Sequence, residues 1–310
     1  MFPSSSSSTS TEASSSAAPR DYTDVLKETI QQRSEQVRDA TKAKAAAYFG
    51  QLVNFILPAN LAFPKEFTFQ PTHTAESVRV LVPLIRSSNT TIPFKFDNGD
   101  TIATVDVFNE FCTELVATFK DVPGFSAELS NIQITPDQLP EGSNISEPIT
   151  VLVISVTIQK HGAPHSKDDD PHQNIRGFVF YQEQDMKNIL NSEIEKTAAQ
   201  LYQNLLNGII PIVIAYPETV REFFSEDEKN WYYAHKIGRS KREDGTDTFS
   251  FKLNTPTGEL IANIDIYDKL IEETRARLSL VKGIVAEVRD YAPEGSSESI
   301  PVIALTLSKN

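Results

Sequence analysis

The sequence predicts an α+β protein made by tandem duplication of one α-β-β-β-α-β-β module, with mainly antiparallel sheets and the two modules forming a pseudo-dimer. Three observations predict it: two ungapped blocks of self-similarity in the same order in each half, helical apolar spacing ahead of a matched proline, and paired strand-like runs around a glycine turn.

The first block aligns Lys42 to Phe67 with Glu195 to Val220 and holds eight identities in 26 positions, among them Leu52/Leu205, Asn54/Asn207, Pro58/Pro211 and Pro64/Pro217. The second aligns Gly99 to Asn131 with Gly258 to Asp290 and holds ten in 33, including Gly99/Gly258, Asp106/Asp265, Gly124/Gly283 and Glu128/Glu287. Unrelated chains of ordinary composition match at roughly one position in 15, so chance is a poor explanation. A third echo is Pro140 to Ser143 against Pro293 to Ser296.

Each half opens on a helix. Tyr48, Leu52 and Phe55 recur at helical spacing before Pro58, as Leu201 and Leu205 do before Pro211, and the proline is expected to stop the helix both times. The first helix is expected from about Thr23, and its counterpart from Asp185 as N-cap, about eight residues shorter.

Strands follow. Ser77 to Arg86 is the clearest, and Thr91 to Phe96 with Thr101 to Val105 flank Asp97-Asn98-Gly99-Asp100, a hairpin signal because glycine takes positive φ at little cost. The second copy reads Thr248 to Leu253, Pro-Thr-Gly, and Leu260 to Ile264. The second helix carries Phe108, Phe111, Cys112, Leu115 and Phe119 on one stripe, matched by Tyr267, Leu270, Ile271 and Leu278. Cys112 therefore aligns with Ile271 and reads as a buried apolar thiol rather than a nucleophile.

Two strands close each half, Phe125 to Ile134 with Ile149 to Lys160, and Ile284 to Tyr291 with Ile300 to Ser308. Arg176 to Gln182, rich in aromatic and β-branched residues, is expected to add a strand against Ile149 to Lys160. The domain reading is thus a disordered Ser-rich tail over 1–20, repeat 1 over 21–182 and repeat 2 over 183–310.

Composition narrows the function classes. The formal charge of -13 disfavours phosphate backbones, so no nucleic acid is expected as partner, and the short basic stretch Lys236, Arg239, Lys241, Arg242 reads as a solvated loop. One cysteine excludes an internal disulfide, and no apolar run is expected to span a membrane, which gives a soluble, intracellular protein, cytoplasmic by default.

The sequence lacks a phosphate loop, a dinucleotide fingerprint, a His-Glu-x-x-His helix, paired cysteines and a Gly-x-Ser-x-Gly elbow. No catalytic, cofactor-binding or metal-ligating residue is assigned, and no cofactor. Three places outside the internal match remain as candidates. The connection His161, His165, Asp168, Asp169, Asp170, His172 has zinc-competent side chains but the spacing of no established motif, so it reads as a solvated loop. Ser225 to Glu228 has the form of a capping box, a helix start leading into Trp231, Tyr232 and Tyr233, which also offer an aromatic contact surface. The third is the Ser-rich tail.

Among shared polar residues, Asp106 and Asp265 are expected to cap the second helix, Asn54 and Asn207 to serve loose helix-end carbonyls, and Glu128 and Glu287 to face water. The leading expectation is a non-enzymatic structural or protein-interaction protein, part of a larger assembly, with a protein partner or self-association. The alternative is an enzyme or small-ligand binder with a site in the cleft between the repeats, using residues that differ between the halves, including His235, His73 and the linker histidines His161, His165 and His172.

Overall fold

The computed structural model describes residues 22–309 apart from 88–89, 97, 136–146, 161–174, 219–222, 238–239, 242–246, 257 and 292–299. The Ser-rich tail, the His161–His172 connection and the Pro140/Pro293 echo lie outside them.

The chain is α+β, in two similar halves with antiparallel sheets. The first half runs α1 (Tyr22–Gln51), a π turn (Leu52–Ile56), α2 (Leu57–Ala62), β1 (Thr72–His73), β2 (Ser77–Pro83), β3 (Thr91–Lys95), β4 (Thr101–Asp106), α3 (Phe108–Lys120), β5 (Phe125–Ile134) and β6 (Ile149–Gln159). The second runs α4 (Ile175–Asn204), a π turn (Leu205–Ile209), α5 (Ile210–Ala215), β7 (Phe224–Glu226), β8 (Asn230–His235), the short pair β9 (Ser240–Lys241) and β10 (Asp247–Thr248), β11 (Ser250–Asn254), β12 (Leu260–Asp265), α6 (Tyr267–Ser279), β13 (Ile284–Tyr291) and β14 (Ile300–Ser308). The four-stranded sheets have matching orders, β1-β2-β6-β5 and β7-β8-β14-β13, and each half adds a separate hairpin, β3-β4 or β11-β12.

Two expectations about the opening helices are corrected. α4 begins at Ile175 and, like α1, is 30 residues long, so Arg176 to Gln182 is helix rather than strand and residue 183 falls inside α4. Strand propensity is overridden by packing, because Val179 is fully buried in the first half's core with Ile175 and Phe180 against it. Nor do the prolines end the helices. Leu57 N–H donates to Leu52 O and Ile210 N–H to Leu205 O, five residues back, and the helix continues through Pro58 or Pro211 to Ala62 or Ala215. The widened π turn accommodates a residue that has no N–H and whose ring would press on the carbonyl four residues before it.

The glycine turns behave as expected. Among the described residues the positive-φ positions are Gly99, Gly124, Gly258 and Gly283, the glycines matched in the second aligned block. Asp106 Oδ1 accepts from Phe108 N–H and Asp265 Oδ1 from Tyr267 N–H, both at 2.9 Å, so each serves the first free N–H of its helix from one residue ahead of the N-cap position, Val107 or Ile266. Glu128 and Glu287 face outward, paired with Arg79 and Arg289. Asn207 departs from its expected role, donating to the Gln203 side chain instead of serving a carbonyl.

Each half has its own apolar core between sheet and helices. The first holds Leu52, Leu57, Val80, Leu115, Phe119, Ile154 and Ile158, and the second Leu205, Tyr233, Ile271, Leu278, Ile303 and Leu305. A third cluster joins the halves: Ala59 on α2 and Phe63 after it pack with Met186, Leu190 and Ile194 of α4 and with Ala262, Ile264 and Ile266 around β12. The segment Ile175–Ala215 is long and apolar enough, by length and composition, to cross a membrane, contrary to the expectation that no such run exists. Its Val179, Leu190, Ile194 and Ala198 are buried.

Candidate functional site

The acidic and aromatic segment from Ser225 to Tyr233 is not a helix start. It is the β7-β8 hairpin, and Asp227 makes its turn by accepting from Lys229 N–H and Asn230 N–H at 2.7 Å each. The Tyr232 hydroxyl donates to the same carboxylate at 2.7 Å, and this bond, followed by the two backbone bonds, holds Asp227 below the usual carboxylate range. Thr74 makes the same turn in the first half, where its Oγ1 accepts from Ser77 N–H at 2.9 Å. Lys160 Nζ donates to Thr74 O, and Lys309 Nζ to Asp227 O. A four-residue spacing that suits a capping box also suits an Asx-type hairpin turn, and the sheet decides between them. The three aromatics do have counterparts: Trp231, Tyr232 and Tyr233 occupy the β8 places that Val78, Arg79 and Val80 occupy on β2. Tyr233 is buried and Tyr232 faces outward.

On that outward face Tyr232 borders a groove of about 310 Å³ on the second sheet. Phe223 and Tyr291 close one side, their ring centroids 5.0 Å apart, while Ala304 and Thr306 form the floor beside the Glu287–Arg289 ion pair. Aromatic rings next to a paired guanidinium and carboxylate suit recognition of a polar surface.

The two histidines among the described residues, His73 and His235, lie in different halves. His235 is half-buried on β8, its Nδ1 3.0 Å from the Tyr233 hydroxyl, and burial lowers its pKa to about 4. His73 is exposed on β1. Cys112 is buried, and burial pushes its thiol up to about 11, which leaves it protonated and inert at neutral pH. Among the described residues no group of three or more His, Cys, Asp or Glu side chains could hold a metal ion.

Where a cleft site would sit, the halves are joined by the apolar cluster of Phe63, Leu190 and Ile264. A shallow groove of about 490 Å³ runs beside it, bordered by Lys65, Glu66, Asp265, Asp268 and Lys269, with no histidine in its lining. Asp265 already caps α6 there.

The junction is also one-sided. Along the offset that superposes the opening helices, Ala59 and Phe63 correspond to Ile212 and Tyr216, while Val179 and Glu183 correspond to Leu26 and Ile30. Ala59 and Phe63 are 0% and 9% exposed, but Ile212 and Tyr216 are 57% and 65% exposed. Sequence reading missed these outer positions because it treated matched places as structural. The signal was present: Tyr22, Leu26 and Ile30 form an i, i+4, i+8 stripe on a helix otherwise rich in polar residues.

No protein-family model, curated protein or solved structure matches the chain. Its function has to follow from these surfaces.

Proposed function

We propose that the chain arose by tandem duplication and serves as a non-enzymatic, soluble intracellular scaffold, a two-module component of a larger assembly that works through protein contacts. The observation that carries this reading is the junction: the place between modules where a ligand cleft would form is occupied by Ala59, Phe63, Leu190, Ile194 and Ile264 as a packed core. Two modules locked together in this way present fixed surfaces to partners. The charge of -13 favours protein over nucleic-acid partners.

The modules relate head to tail rather than as a symmetric pseudo-dimer. A two-fold arrangement would set α5 against α1 as α2 is set against α4. Ile212 on α5 and Ile30 on α1 instead stand exposed.

The test is sizing of the untagged chain in gentle extracts of its native source. The expected result is a particle well above the 34.5 kDa of one chain. A single chain running alone under those conditions contradicts the scaffold reading.

A further inference from the structure

We infer that the full chain associates head to tail with further copies of itself, α1 of one copy seating on the second half of the next, α5 included, as α4 seats on the first half within the chain. This rests on the scaffold reading and names its partner as a second copy.

The internal junction is the template. α4 contributes Val179, Met186 and Leu190 to the contact, and the first half contributes Ala59 and Phe63, with Val179 reaching into the first half's core. The matched positions recur in each half: Met186 and Leu190 fall on Arg33 and Val37 of α1, and Ala59 and Phe63 on Ile212 and Tyr216, so one face of each kind has no counterpart within the described residues. At the leading end, the α1 positions matched to Ile175, Val179 and Glu183 are Tyr22, Leu26 and Ile30, exposed by 76%, 42% and 59%. At the trailing end, Ile212 and Tyr216 stand on α5 and just after it.

A second spot agrees. The Arg176 side chain lies over Gly124, so close that an added Cβ would strike it, whereas the nearest group over the matched Gly283 is Ser308 Cβ at 3.8 Å, from the adjoining strand. Thr23 is the α1 residue matched to Arg176, and Leu280, beside the Gly283 turn, is 87% exposed. Apolar side chains thus stand uncovered on α5, where the matched first-half residues Ala59 and Phe63 are covered, whereas Leu280 matches Asp121, which is exposed in the first half as well. Burying such faces between neighbours is how stacked repeats gain stability, and the terminal repeats of a finished stack carry polar outer faces. This chain has apolar side chains on both outer faces. Because the two faces are different surfaces, the contact is heterologous and propagates into a ring or an open row.

The experiment uses the purified full chain and two variants, Ile30→Asp and Ile212→Asp, measured by light scattering and sedimentation from low to high micromolar concentration. The wild type is expected to gain mass with concentration, and each variant alone to associate at least tenfold more weakly and run as a monomer. An equimolar mixture of the variants is expected to form a complex of two copies and stop there, because one retains a sound α5 face and the other a sound α1 face. Circular dichroism and thermal midpoints check folding, and Leu26→Ser and Tyr216→Ser replace any variant that fails it. A wild type that stays monomeric overturns the inference, as does self-association unaffected by both substitutions, or a mixture that remains monomeric. A monomer that sediments with phosphatidylcholine–phosphatidylserine vesicles, and loses that through Ile212→Asp, also overturns it by giving the face to lipid. A purified monomer together with a large native particle overturns this inference alone; a lone chain in native extracts overturns the scaffold reading beneath it.

Discussion

At the scale of single residues, the second half carries a half-buried histidine at a strand position where the first half carries a valine. His235 on β8 occupies the place of Val82 on β2, each paired with a buried isoleucine, Ile303 or Ile154. Burial depresses the His235 pKa from 6.5 to about 4 in the folded state, so the imidazole stays neutral there while the unfolded chain takes up a proton below about 6.5. The resulting stability is complete above that pH and is lost as pH falls toward 4, on the order of 3 kcal/mol in all. The substitution His235→Val, which copies the Val82 of the first half, should flatten this part of the acid dependence. Urea titrations of both proteins at pH 7 and pH 4.5 measure it; an equal loss in both would show that the carboxylates alone govern acid unfolding. Tyr48, packed against the Phe111 ring at 5.7 Å, is pushed up to about 12 by burial and stays protonated throughout this range.

At the scale of elements, the caps and turns were legible because a local chemical rule specifies them. Asp106 and Asp265 each satisfy a free N–H at the start of α3 or α6. Truncation to alanine at either place should cost about 1 kcal/mol, within 0.5–2, in denaturant unfolding. A cost near zero would mean that water serves those groups equally well. The positive-φ glycines and the stripe that takes in Cys112 were legible for the same reason. Two elements were not. Arg176 to Gln182 has the composition of a strand, and its helix depends on Val179 finding a pocket in the other half, which no local window contains. Pro58 and Pro211 looked like stops because the usual clash assumes a regular α turn; the π turns of Leu52–Ile56 and Leu205–Ile209 remove that assumption. The candidate surfaces were harder still to read, since exposure at Ile212 and burial at Ala59 arise from the neighbouring half rather than from either residue.

At the scale of the molecule, α4 ties the two halves together, so they are expected to unfold as one cooperative unit. Val179 of α4 belongs to the first core, Leu205 after α4 belongs to the second, and Leu190 between them belongs to the junction. Leu190→Ala should therefore cost about 2–5 kcal/mol, as a buried leucine does, and lower the unfolding midpoint of both halves together. Fluorescence of Trp231 reports on the second half, and labelling of buried Cys112 with a thiol reagent reports on the first. Separate midpoints from these probes would show two independent bodies.

The reach of α4 into the first core also sets an order of events during synthesis. When β6 has left the ribosome, every strand of the first sheet exists, yet the place filled by Ile175, Val179 and Phe180 is still vacant, because those residues follow the His161–His172 connection. The first half is thus completed by the opening helix of the second. A nascent chain halted at Lys160 would hold an unfinished core, and translation of α4 is the step that seals it.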